Sequence, residues 1–161
     1  MARVVCFCGV SNSGKTTLIE KLSLALRKEG KRVFILKHDP KDKARFDTEG
    51  KDSYRFFESG ADVCVYSPKK ATLMLQNSLP TPQEIIAPFL KDWDYVFIEG
   101  LRELGFERIL VARGSIESGY EEEVRAYALK NIAKEGENVL DLDNIPEILQ
   151  WIQTNIEDKK W

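Results

Sequence analysis

Residues 9–16 read Gly9-Val10-Ser11-Asn12-Ser13-Gly14-Lys15-Thr16 and match G-x-x-x-x-G-K-[ST] at every fixed position. A phosphate cradle needs these residue types. Glycines let the backbone bend so that several N–H groups point inward, and a helix starting at the loop adds positive potential. Gly9, Asn12, Ser13 and Gly14 are therefore counted among the nucleotide-binding residues. Lys15 can place a point charge on the β- and γ-phosphates, the Thr16 hydroxyl can coordinate Mg²⁺, and Thr17 can donate to the α-phosphate. A glycine-rich turn that binds nothing is the bland alternative, and it depends on what flanks the loop.

The flanks favour the phosphate site. Arg3 to Cys8 is a β-branched and apolar run ending at Gly9, as in a strand buried on both faces. From Lys15 to Glu29, Leu18, Leu22, Ala25 and Leu26 form one helical stripe. Arg27 and Lys28 suit the negative end of that helix, and Gly30 suits a left-handed stop. Arg32 to Leu36 is a second strand. The order strand, loop, helix, strand is the βαβ unit of a parallel sheet.

Beyond this unit the pattern is mixed. Asp52 to Ser59 reads as a short helix closed by Gly60. The runs DVCVY and ATLMLQ flank Ser67-Pro68-Lys69-Lys70 and predict an antiparallel hairpin at the sheet edge. Thr81-Pro82-Gln83-Glu84 has the order of a capping box with proline at the first helical position, and Pro88 should end or kink that helix. Asp94 to Ile98 and Arg108 to Ala112 are further strands. Asn144-Ile145-Pro146-Glu147 repeats the capping order ahead of a C-terminal helix, with Ile148, Trp151, Ile152 and Ile156 on its apolar face. Trp161 is grouped with that packing.

The totals agree with one α/β domain over residues 1–161, a mostly parallel sheet flanked by helices with an antiparallel hairpin at the edge. A net charge of −2 provides no general attraction for nucleic acid. Glu121, Glu122 and Glu123 read as a solvated face. No apolar window is long enough to cross a membrane, and the N-terminus lacks the order of a signal peptide. Three cysteines in apolar runs argue against a disulfide framework. The expectation is a cytoplasmic protein that engages neither membrane nor nucleic acid.

A metal partner for Thr16 should come from a strand end, where open α/β sheets place ligands. Asp94-Tyr95-Val96-Phe97-Ile98-Glu99-Gly100 carries its carboxylate there. Glu99 can hold a metal-bound water or orient an attacking one, making it the catalytic candidate, or it can simply cap the next turn. Gly100 permits close backbone approach. Asp94, at the strand's entrance, falls at the far edge and is not assigned to the metal. The stretch KHDPKDKARFDTEGKDSYR, residues 37–55, has eleven Lys, Arg, Asp or Glu among nineteen positions. Asp39 or Asp47 can reach the metal, with Asp39 taken as the metal candidate, and Lys51 or Arg55 can meet an anionic ligand. His38 is a phosphate or pterin contact, or a satisfied loop histidine. Lys41 to Arg45 reads as plain surface.

The blocks GVSNSGKTTL, KHD, GKDSYRFFESGA and DYVFIEGLR, in this order, resemble the molybdopterin-guanine dinucleotide biosynthesis adapter protein B (MobB) family. The resemblance extends over residues 5–113, about two-thirds of the chain. The match carries over at Gly9, Gly14, Lys15, Thr16, His38, Asp47, Gly50, Lys51, Asp52, Ser53, Tyr54, Glu99 and Gly100. The resemblance implies a P-loop GTP-binding adapter with slow intrinsic hydrolysis, usually dimeric, which assists attachment of GMP to molybdopterin. Its implied partner is the molybdopterin guanylyltransferase, with molybdopterin or its dinucleotide as a further contact and GTP and Mg²⁺ as cofactors. The chain departs from the family in having no second histidine after His38 and Leu101-Arg102 in place of an aromatic-lysine pair.

Guanine is inherited from the resemblance. GTP-binding proteins commonly read the base through Asn-Lys-x-Asp, whereas Leu129-Lys130-Asn131-Ile132 has a lysine without the aspartate. A P-loop small-molecule kinase, with Arg45 and Arg55 closing over phosphates, and a GTP-dependent metallochaperone are the alternative functions. Cys6, Cys8 and Cys64 are read as buried small side chains before a thiolate metal site.

Overall fold

The computed structural model describes residues 1–159 and divides into two compact units, Met1–His38 with Pro82 onward, and Asp39–Thr81. In the first unit, strands β1 (Ala2–Cys8), β2 (Val33–Lys37), β5 (Tyr95–Glu99), β6 (Arg108–Arg113), β7 (Val124–Lys130) and β8 (Val139–Asp141) form a parallel sheet ordered β2-β5-β1-β6-β7-β8. A two-residue strand β9 (Asp158–Lys159) pairs antiparallel with the start of β1.

The strand pleat sorts the core into two layers. Val5, Phe7 and Phe97 face one side and pack with Leu18, Leu22 and Leu26 of α1 (Lys15–Lys28) and Ile148, Trp151 and Ile152 of α5 (Ile145–Asn155). Val4, Cys6, Val96 and Ile98 face the other side, against Ile86 of α3 (Pro82–Ile86) and Leu90 of α4 (Phe89–Asp92). Burial on both faces explains why β1 and β5 read as unbroken apolar runs. β2 is at the edge of the sheet, and its Ile35 is exposed.

Helix ends follow the expected chemistry. Gly30 (φ 75) donates to Arg27 O at 3.0 Å and Lys31 donates to Leu26 O at 3.0 Å, the paired bonds of a left-handed stop after α1. Pro88 separates α3 from α4, as a residue without an N–H must. Asn144 caps α5, its side chain accepting from Glu147 N at 3.3 Å. Trp151 is buried in the core, whereas Trp161 lies outside the described residues.

The second unit holds α2 (Asp52–Glu58) and a hairpin of β3 (Val63–Ser67) with β4 (Lys70–Met74). The expected hairpin forms as a two-stranded sheet of its own, hydrogen-bonded to no strand of the larger sheet among the described residues. Its base is tied by polar side chains. Asp62 Oδ1 accepts Gln76 N at 2.8 Å, and Gln76 Nε2 donates to Phe57 O at 2.6 Å. β7, β8 and β9 are additions to the strands expected from sequence. In β7 the buried residues Ala126 and Ala128 are small and alternate with Arg125, Tyr127 and a buried Leu129, which leaves little hydrophobic contrast.

Candidate functional site

The phosphate loop joins the C-terminal end of β1 to α1 and takes its shape from two close approaches. At Gly9 (φ 133) an added Cβ would sit 2.3 Å from Val111 O, and at Gly14 (φ 103) it would sit 2.8 Å from Arg113 Nε. The Val111 carbonyl leaves no room for a side chain at Gly9, at Gly14 the Arg113 side chain would have to shift, and both φ values lie where L-residues are strained. Asn12 (φ 65) adds a left-handed residue, a sequence of turns that curls backbone N–H groups inward. Ser13 is buried, and its N–H donates to Val10 O at 3.3 Å.

Lys15 lies folded into this loop, its Nζ donating to Gly9 O at 2.9 Å and Val10 O at 2.6 Å, with Ser13 Oγ at 3.4 Å. Burial pushes its pKa below the ordinary lysine value, while the nearby Glu99 carboxylate opposes that shift. The adjacent Thr16 hydroxyl donates to Glu99 Oε1 at 2.9 Å and lies 3.1 Å from Oε2. Parallel pairing of β1 with β5 sets Phe7 opposite Glu99, so this carboxylate emerges beside the loop. Thr17, one residue on, is exposed.

One site residue escaped the sequence reading. Lys37 is opposite Glu99 in the β2–β5 register, and its Nζ lies 3.3 Å from both Glu99 oxygens and 3.5 Å from Thr16 Oγ1. Its signal was its position as the last residue of a strand, since the three parallel strands β2, β5 and β1 end together. His38 follows; its N–H donates to Glu99 O at 3.0 Å, and its Cβ would be 3.2 Å from a Cβ on Gly100. Gly100 thus leaves room for the His38 side chain.

The remaining sequence-derived candidates belong to the second unit. Asp39 accepts three backbone N–H groups of its own loop, from Lys41 at 3.3 Å and from Lys43 and Ala44 at 2.6 Å. These bonds, Ala44 first, hold its pKa below the usual carboxylate value. Asp47 is lowered by the Ser53 hydroxyl first and then by the Thr48 amide, 2.8 Å away. Lys51 is the residue before α2, and Arg55 is in its last turn.

Cys6 and Cys8 are buried in β1, with Sγ atoms 3.0 Å from Gly100 O and 3.7 Å from Ile109 O, and burial raises both thiol pKa values, whereas Cys64, expected to be buried, is exposed on the hairpin. Asp94 accepts Arg32 N at 2.7 Å at the opposite end of β5 from Glu99.

Thr16 and Glu99 are hard oxygen donors on adjoining elements, a set that suits Mg²⁺ completed by phosphate oxygens. A parallel sheet, a glycine loop over the end of its central strand and a threonine–carboxylate pair beside that loop define a P-loop nucleotide-binding protein of the α/β class. Residues 4–133 match the family described as molybdopterin guanine dinucleotide synthesis protein B, MobB. The chain belongs to the MobB family.

A molybdopterin-guanine dinucleotide biosynthesis adapter protein of Haemophilus influenzae is 30% identical over 151 residues, covering 90% of this chain and 84% of that one. One of Escherichia coli is 32% identical over 120 residues, covering 70% and 67%. The crystal structure of a molybdopterin-guanine biosynthesis protein B superposes with a TM-score of 0.69 at 28% identity, over 94% of this chain and 97% of the other. Bacillus subtilis MobB, at 22% identity and a TM-score of 0.70 over 98% and 99% of the two chains, shares the fold.

Proposed function

We propose that this chain is a cytoplasmic GTP-binding adapter of molybdenum cofactor maturation, assisting the guanylyltransferase that attaches GMP to molybdopterin. The observation that carries the reading is the complete phosphate loop, with Thr16 bonded to Glu99 at 2.9 Å, in a chain of this family. In this proposal Lys15 holds the β- and γ-phosphates, and Thr16 with Glu99 holds Mg²⁺. The metal, when bound, neutralises charge on the terminal phosphates. Thr17 meets the α-phosphate, and Asp39, Asp47, Lys51 and Arg55 are candidate contacts for metal, phosphate or pterin from the charged loop. Glu99 orients an attacking water only in competition with Thr16 and Lys37, which engage both of its oxygens, and slow turnover fits that arrangement.

A homodimer is part of the proposal. Tyr66 and Leu73 share one face of the hairpin with Cys64, all exposed, an apolar surface of the kind that marks an interface. The functional test is formation of the guanine dinucleotide by the guanylyltransferase with and without this protein. Stimulation that depends on GTP is expected; none, together with rapid phosphate transfer to a small acceptor, sinks the adapter reading. Light scattering tests the assembly, and a mass of one chain, 18.4 kDa, counts against the dimer.

A further inference from the structure

Lys130 lacks the aspartate that would follow it in an Asn-Lys-x-Asp sequence, yet the fold brings one to it from the turn after the next strand. β7 ends at Lys130, and its ammonium is hydrogen-bonded to Asp143 Oδ2. β8 runs parallel to β7 with Leu129 opposite Asp141, so the two strands end side by side. Leu142 N–H then donates to Leu129 O at 2.9 Å, and Asp143 N–H to Asp141 Oδ1 at 2.9 Å, which fixes Asp143 in the turn before α5. Arg113, the last residue of β6, completes the group. Its Nη2 is 3.7 Å from Asp143 Oδ1, and its guanidinium lies over Gly14 of the phosphate loop.

We propose that Asp143 is the residue that reads the guanine base, accepting from its N1–H and 2-amino groups, with Lys130 and Arg113 orienting the carboxylate. This rests on the GTP reading of the phosphate loop. Direction supports it first. Glu99 and Lys37 mark the side of β1 that takes the metal and terminal phosphate, because β5 and β2 lie there. β6, β7 and β8 follow in order on the other side of β1, and a triphosphate anchored at Thr16 extends its base toward them. Strands lie about 4.8 Å apart, so the ends of β7 and β8 are about 10–14 Å from that of β1, the scale of a nucleotide.

Chemistry supports it second. A carboxylate only accepts, and guanine offers two adjacent donors, whereas adenine turns a ring-nitrogen lone pair toward one of the oxygens. The Asp143 side chain is 40% exposed, so its edge is within reach of a ligand. The Lys130 hydrogen bond first, and then the charges of Lys130, Arg113 and Lys21, hold its pKa below the usual carboxylate value. It therefore stays an acceptor at neutral pH. Asp141, the other carboxylate nearby, is occupied with the Asp143 amide and shapes the turn.

The test is competition binding to the full chain by GTP, inosine triphosphate, xanthosine triphosphate and ATP, with thermal unfolding of every variant in parallel. Wild type should bind GTP about tenfold more tightly than inosine triphosphate, which lacks the 2-amino group. Asp143→Asn should lose about ten- to a hundredfold in GTP affinity and favour xanthosine triphosphate, because the carboxamide donates to its 2-carbonyl. Asp143→Ala should bind GTP and inosine triphosphate alike. A wild-type ratio of GTP to inosine triphosphate near one overturns the proposal without any variant. So does an Asp143→Asn protein that keeps the wild-type order of bases, and the preference for GTP then stands with another reader. If wild type binds ATP as well as GTP, base reading and GTP specificity fail together, and only the phosphate loop survives.

Discussion

Lys15→Ala tests the phosphate loop most directly, because the ammonium already has partners that must be exchanged. Its Nζ donates to two backbone carbonyls, Gly9 O at 2.9 Å and Val10 O at 2.6 Å. On binding, these neutral acceptors give way to charged phosphate oxygens, so a charge–dipole contact is exchanged for one between opposite charges. Hydrogen bonds involving charged groups contribute about 1.5–3 kcal/mol, and the carbonyl contacts given up place Lys15 near the lower end. A loss of about 1.5–2 kcal/mol is a weakening of roughly ten- to thirtyfold.

The same substitution removes the intraloop bonds of the unbound protein, at about 1 kcal/mol each or less where the carbonyls reach water. Titration calorimetry with Mg-GTP is therefore paired with thermal unfolding, so that affinity is read on folded protein. Equal dissociation constants for wild type and a folded Lys15→Ala would refute the assignment of the loop.

Glu99→Gln keeps the shape of the side chain and the Thr16 contact but removes the charge facing Lys37, 3.3 Å away. Slower phosphate release with nucleotide binding largely kept is expected in a single-turnover assay, and unchanged turnover moves the water-orienting role elsewhere. For the thiols, Cys64 is exposed and should react with a thiol reagent in the native state, whereas Cys6 and Cys8 should react only on unfolding. Burial pushes the Cys6 thiol from an ordinary 9.0 up to about 12, so above pH 9.0 the unfolded chain releases this proton while the folded chain keeps it. Its contribution to stability should fall as pH rises through that window, and a Cys6→Ala variant that shows the same alkaline slope would count against it.

Much of the first unit is legible along the chain. The apolar run before Gly9, the stripe from Leu18 to Leu26 and the stop at Gly30 each express their element within a few residues, and each element formed. The carboxylate of Glu99 at a strand end was equally readable, because an apolar strand leaves its ends as the places for charge. β7 was harder to see: with small Ala126 and Ala128 buried, and Tyr127 and Leu129 between and beside them, its alternation is too shallow to separate from a loop. β8, of three residues, is shorter than any periodicity can mark.

By itself the sequence determined the phosphate loop, the βαβ unit around it and the residues Lys15, Thr16 and Glu99, since glycine spacing and helical stripes are local properties. Only the tertiary structure decided which strand ends meet. It set Lys37 against Glu99 through the β2–β5 register and brought Arg113, Lys130 and Asp143 together from β6, β7 and the turn after β8. Strand order is fixed by pairing between residues far apart in the chain, where each strand's neighbours depend on all the others being in place. No short stretch of sequence carries that information.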